Sequence, residues 1–148
     1  MQEKTAVHYG KVEFIPGNIC DSYVLNDGTP VMSEGGVAKL LEISQKDLQD
    51  MTASGVLLRT LKPFILDKNF SMATTLVKVT AKNSPDKGKE IAVYDVAFIE
   101  SFIRGYALAL ANNVLLPNQK EVGKRCLILM SAFIKTALDA AAKEACDR

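Results

Sequence analysis

The sequence predicts an α+β fold of small antiparallel β-hairpins, a helix-turn-helix-like corner and two long C-terminal helices, in a single domain of residues 1–148. Three observations predict it. Apolar and polar residues alternate in two separate stretches, each interrupted by turn-forming residues. Residues 33–51, SEGGVAKLLEISQKDLQDM, read as two short helices with a tight corner between them. From Tyr94 onward, apolar residues recur at helical spacing to the end of the chain.

The first hairpin begins in YGKVEFI, where Val12 and Phe14 alternate with Lys11 and Glu13 as in a half-buried strand. Pro16-Gly17-Asn18 breaks it. Tyr23, Val24 and Leu25 then lead into Asn26-Asp27-Gly28, residues that tolerate the positive φ of a tight turn. Val31 and Met32 close a sheet expected to have two or three strands. Ser33 is an N-cap for a helix running to about Glu42, and Ser44 caps a second one to about Thr52, ended by Ala53–Gly55. In VLLRTLKPFI, Pro63 biases Lys62 toward extended backbone, which predicts a short helical turn and then a connector.

The second hairpin lies in TLVKVTAKNSPDKGKEIAVY. Leu76 and Lys78 alternate with Val77 and Val79, and Ile91 and Val93 return after a polar loop. That loop, Lys82–Glu90, carries Lys82, Lys87 and Lys89 and reads as a solvated tip. Asp95 caps a helix whose stripe is Phe98, Phe102, Tyr106 and Leu110, widened by Ile99, Ile103 and Ala107. Asn112-Asn113 stops it. Asn118 is expected to cap the last helix, with Val122, Cys126, Leu129, Met130, Phe133, Ala137 and Leu138 as its buried stripe. A helix from there to Cys146 is roughly 40 Å long, more than a small domain can cover. Its alanine-rich end therefore frays or packs on a second copy, and a homodimer is the expectation. Within the single domain, residues 1–55 form the hairpin-plus-corner half and residues 56–148 the second-hairpin-plus-helical half.

Composition excludes several functions. Net charge is +1, so there is no global basic field to draw the molecule to nucleic acid or an anionic membrane. Cys20, Cys126 and Cys146 form no C-x-x-C pair, and Cys126 falls in an apolar helical pattern that makes it core. No apolar stretch approaches the roughly 18 residues needed to span a bilayer, so no membrane association and a cytoplasmic setting are expected. His8 is the single histidine, which removes histidine-based acid–base and nucleophilic schemes. Asp47 and Asp50 share a helix face with no cation or metal ligand beside them, and Gly35-Gly36 matches no phosphate-binding motif. The expectation is a protein that is not an enzyme, without catalytic residues, cofactor or metal.

The corner carries the remaining chemistry. Ala38 supplies the small residue where two helices cross closely, and Val37, Leu41, Ile43, Leu48 and Met51 stand where a helix-turn-helix needs apolar residues. The corner position itself favours Gly, because the backbone there is left-handed, and here it is Glu42. As a DNA-reading element, the corner offers Lys39, Ser44, Gln45, Lys46 and Gln49 as contacts. Gln pairs bidentately with adenine, and Lys takes guanine or phosphate. Asp47 and Asp50 oppose that use by repelling phosphate.

Three stretches resemble the P63C domain family of phage and plasmid proteins. YVLNDGTPVMSEGGVAKLLEIS is similar to the family's LeDGtRvlsqrG…aLG run, and LRTLKPFI to its NLKPFI signature. GKEIAVYDVAFIESFIRGYALALANNVLLPNQKEVGKRCLILMSAFIKTAL resembles its helical core, with Tyr94, Asp95, Gln119 and Leu129 at matching places. The chain departs from the pattern at Pro30, where the family has Arg, and at Glu42, where it has Gly. It also runs ALDAAAKEACDR where the family continues into a further segment, so it reads as shortened at the C-terminus. The resemblance implies a phage or prophage protein of the host bacterial cytoplasm with a helix-turn-helix-like N-terminal half, and it brings no catalytic residues. Two functions follow: a regulatory protein binding DNA through the corner, or an accessory or counter-defence protein that binds a host or phage protein without touching DNA.

Overall fold

The computed structural model describes residues 4–53, 61–64 and 74–146. Among the described residues, five strands and four α-helices make a mixed α+β fold. The strands are β1 (Thr5–Ile15), β2 (Asn18–Leu25), β3 (Pro30–Ser33), β4 (Thr75–Val79) and β5 (Glu90–Asp95). They do not form two separate hairpins, as the alternation alone suggests, but one closed barrel in the order β1-β2-β3-β5-β4. The β3–β5 pairing, Met32 opposite Tyr94, joins the three antiparallel strands β1, β2 and β3 to the β4–β5 pair. A short parallel pairing of Thr5 with Lys78 and Ala6 with Val79 shuts the ring. The closing pair involves only Thr5 and Ala6 of β1, and the rest of β1 pairs with β2 alone. Strands from both sides of residue 55 thus build one body.

Period-2 alternation sorts the strand residues between two cores. Ala6, Tyr23, Leu25, Val31, Val77, Val79 and Val93 fill the barrel. Cys20, Met32 and Tyr94 point the other way, into a helical core with Leu40, Leu48, Phe102, Tyr106, Cys126 and Leu129. The loop between β4 and β5 is not a simple solvated tip. Ser84 is buried and hydrogen-bonds the Tyr23 hydroxyl at 2.9 Å, while Asn83 donates to the Tyr9 carbonyl, so the loop seals one mouth of the barrel. Lys82, Lys87 and Lys89 remain outside.

The helices are α1 (Glu34–Leu41), α2 (Gln45–Ala53), α3 (Val96–Ala111) and α4 (Lys120–Cys146). Ser33 caps α1 by accepting from Gly36 N at 3.0 Å, and Asp95 caps α3 by accepting from Ala97 N at 2.7 Å. Asn112 and Asn113, the latter with φ 58°, end α3. Lys62–Phe64 winds into a 3₁₀ turn, so Lys62 is not extended as Pro63 suggests. Ser54 and Gly55, read as the stop of α2, lie outside the described residues.

The start of α4 differs from the sequence reading. Asn118 lies inside a 3₁₀ turn, Pro117–Gln119, and Gln119 makes the capping contact by accepting from Leu116 N at 2.9 Å. Along α4 only Val122, Gly123, Cys126 and Leu129 are buried. Met130 and Phe133 are half-buried, whereas Ala137 and Leu138, read as core, are exposed. Ala137 only lines open space beside α3. Leu138, twelve residues past Cys126 at about 3.6 per turn, stands about a third of a turn away from the buried stripe. The helix does not fray there but stays regular to Cys146.

Candidate functional site

The corner between α1 and α2 is built by a Schellman-type close. Ile43 N donates to the Ala38 carbonyl at 3.0 Å and Glu42 N to the Lys39 carbonyl at 3.2 Å, with Glu42 left-handed at φ 58°, ψ 42°. A non-glycine residue in that conformation costs about 1 kcal/mol. Two side chains from elsewhere complete the helix end. Asn18 donates to the Lys39 carbonyl, and Arg125 of α4 donates to the Leu40 carbonyl while its guanidinium pairs with the Glu42 carboxylate at 3.4 Å. Val37, Ala38, Leu41 and Leu48 are buried behind the corner, and Ile43 and Met51 pack against them.

The five expected DNA contacts are all exposed, but their side chains are unequally available. Ser44 spends its hydroxyl on Asp47 N at 3.0 Å, capping α2. Gln49 donates to the Glu34 carboxylate at 2.6 Å, and the Gln45 amide lies over Gly35. Lys39 and Gln45 share a polar cleft of about 380 Å³ with Asp21, Glu34 and Asp86. Three carboxylates against one lysine make this face unfavourable for a phosphate backbone. Lys46, farther along α2, has no ion pair among the described residues. The corner therefore leaves the five residues exposed, but it ties Gln49 to Glu34 and sets Lys39 and Gln45 in a cleft with three carboxylates.

A second site was not visible in any single stripe of the sequence. Between α3, α4 and the barrel opens an apolar cleft of about 500 Å³, floored by Met32, Leu40, Ile99 and Phe133. Phe14, at the end of β1, meets Phe133 edge-on at 5.4 Å and forms one wall. Glu100 and Arg104, paired with each other on α3, supply the polar rim. Ile134 and Ala137 form the lip on α4, and the same helix also exposes Leu127, Ile128 and Leu138 to solvent. The signal for it was an excess. Leu127, Ile128 and Ile134 add apolar residues to α4 outside the stripe that faces the core.

Other chemistry is sparse. Burial pushes the Cys126 thiol up to about 12 and raises that of Cys20, which keeps both protonated and inert as core residues. Among the described residues, no group of three or more His, Cys, Asp or Glu is placed to hold a metal ion, and no helix is long and apolar enough to cross a membrane. Compared with protein-family models, curated proteins and solved structures, the chain matches none.

Proposed function

We propose that the protein is a non-catalytic binding protein that acts by protein–protein association through its helical half, in the phage or prophage setting that the P63C resemblance implies. A host or phage protein is the partner class that setting supplies. The observation that carries the reading is the apolar cleft of about 500 Å³ together with the exposed Leu127, Ile128, Ile134 and Leu138 of α4 beside it. Apolar surface of that extent on a soluble protein marks an interaction site. The acid-flanked corner argues the same way, since it leaves DNA little to hold.

A DNA-reading role for Lys39, Ser44, Gln45, Lys46 and Gln49 stands as the second reading. It is favoured by the exposure of Gln45, Lys46, Asp47, Gln49 and Asp50 on α2, where Leu48 is buried and Lys46 has no ion pair among the described residues. Titration of a mixed-sequence duplex separates the two. Protein–protein association predicts no binding at about 50 mM salt, where counterion release is still strongly favourable. Affinity that falls steeply with salt and weakens in Lys46→Ala would overturn it.

A further inference from the structure

The outer face of α4 is complementary to itself, and we propose that it pairs with the same face of a second copy in an antiparallel, two-fold dimer. This rests on the protein-binding reading and names the partner at that site. Leu127, Ser131, Ile134, Leu138, Ala141 and Ala145 succeed one another in alternating steps of four and three residues, the spacing of a coiled-coil contact line. All six are exposed, Leu127, Ile134 and Leu138 by 45%, 53% and 66%. The core of the monomer does not use this line, because Val122, Cys126 and Leu129 already face inward from another side of the helix. From Ile134 to Cys146 every residue of α4 is exposed, yet the helix is regular. Most helical stability in proteins comes from packing of an apolar face, and this end of α4 has an apolar line with nothing packed on it.

Reversing the second helix satisfies the whole line. When Leu138 meets the partner's Ile134, Ser131 meets the partner's Ala141 and Leu127 meets the partner's Ala145. Each long terminal side chain then fills space left by an alanine, and the small inner pair lets the backbones approach. A parallel pairing stacks alanine on alanine at the last turns, buries little there, and sets the two barrels side by side. Lys135 flanks the two-fold axis, and its ion pair with Asp139 at 2.7 Å removes the repulsion that two facing lysines would create. Ile134 and Ala137 also belong to the lip of the apolar cleft, so the incoming helix runs along its mouth and covers it. A two-fold contact of this kind uses one patch on both copies and closes on itself.

Sedimentation equilibrium across roughly 1–100 µM chain tests the pairing by mass action. The expected result is a doubling of mass for the native sequence and a monomer for Leu138→Glu, with helix content unchanged. A native chain that stays monomeric throughout, or a Leu138→Glu chain that remains dimeric, overturns the proposal. Should Leu138→Glu perturb folding, cysteine cross-linking in a Cys146→Ser background decides the geometry. A mixture of Leu127→Cys and Ala145→Cys chains is expected to yield the mixed disulfide, whereas Ala145→Cys joined mainly to itself overturns the antiparallel register. The underlying reading fails separately: salt-sensitive binding to duplex DNA would sink it whatever the mass.

Discussion

Arg125 of α4 donates from Nε to the Leu40 carbonyl at 3.0 Å, so the longest helix of the protein closes the C-terminal end of its first one. The same guanidinium pairs with Glu42, the left-handed residue of the corner. A cation at a helix C-terminus meets both the free carbonyls and the negative end of the helix dipole. The Arg125 side chain is only 14% exposed, so its loss leaves a carbonyl without a partner in a poorly hydrated site. Arg125→Met is expected to lower unfolding stability by roughly 1–3 kcal/mol, read from the urea midpoint at constant slope. Arg125→Lys restores little, because an ammonium cannot reach carbonyl and carboxylate together as the planar fork does. Glu42→Gly removes a backbone cost of about 1 kcal/mol and an exposed ion pair worth no more than that, so it changes stability by less than about 1 kcal/mol. A large loss in Glu42→Gly would mean that the carboxylate, and not the backbone, holds the corner.

Gly36 and Gly35 are adjacent in α1 and differ in what surrounds them. A Cβ on Gly36 would sit 2.9 Å from the Asp21 backbone carbonyl oxygen, which β2 holds in place. On Gly35 the nearest atom, 3.2 Å away, is the tip of the Gln45 side chain, which can swing aside. Gly36→Ala should therefore destabilise by roughly 1–3 kcal/mol through overpacking, while Gly35→Ala gains up to about 1 kcal/mol of helix propensity. Thermal melts of the two variants are expected to move in opposite directions. Equal shifts would show that α1 does not approach β2 this closely in solution.

Local signals were legible in the sequence, and relations between distant segments were not. Ser33, Ser44 and Asp95 each accept a backbone N–H two or three residues ahead, and such caps depend only on neighbours. Alternation in β4 correctly separates Val77 and Val79 from Leu76 and Lys78. Barrel closure was invisible because it depends on Ala6 meeting Val79 across most of the chain, and no periodicity encodes which strand lies beside which. Counting Leu138 with Cys126 stretches the apolar stripe too far, since twelve residues at about 3.6 per turn set the two about a third of a turn apart, and Leu138 is exposed. The corner showed the same split. Its apolar positions were readable, but the tie that holds Gln49 comes from Glu34 on the other helix. The carboxylates of Asp21 and Asp86 arrive from β2 and the barrel loop.

Tyr106 is fully buried between α3 and α4, with its ring tilted against Phe102 at 4.8 Å, and its hydroxyl has no hydrogen-bond partner among the described residues. Burial pushes its pKa upward, so the phenol stays neutral, but neutrality does not remove the cost of desolvating it. Leaving a buried hydroxyl unsatisfied costs roughly 1–3 kcal/mol. Tyr106→Phe keeps the ring and deletes the orphan, and it is expected to raise stability within that range. Loss of more than about 1 kcal/mol in denaturant titrations would show instead that the hydroxyl is bonded.

Alkaline pH should weaken the barrel first at Tyr9. Its hydroxyl donates to Asp21 at 2.7 Å, and that hydrogen bond, then burial, then the charge of Asp21 raise its pKa to about 12. Tyr23, its ring tilted against that of Tyr9 at 5.1 Å, is also raised, chiefly by burial. An unfolded tyrosine titrates near 10, so the folded state holds these protons more tightly than the unfolded one. Their stabilising contribution is whole below about pH 10 and disappears as the pH climbs from there through the folded pKa of Tyr9. Urea midpoints taken in small pH steps should therefore fall across that window. Tyr9→Phe, which keeps the ring contact but has no proton to lose, should show a shallower fall, with tyrosinate absorbance rising later in the native protein than in the denatured one. If Tyr9→Phe loses stability with pH as steeply as the native sequence, the Tyr9–Asp21 hydrogen bond is not what holds that proton.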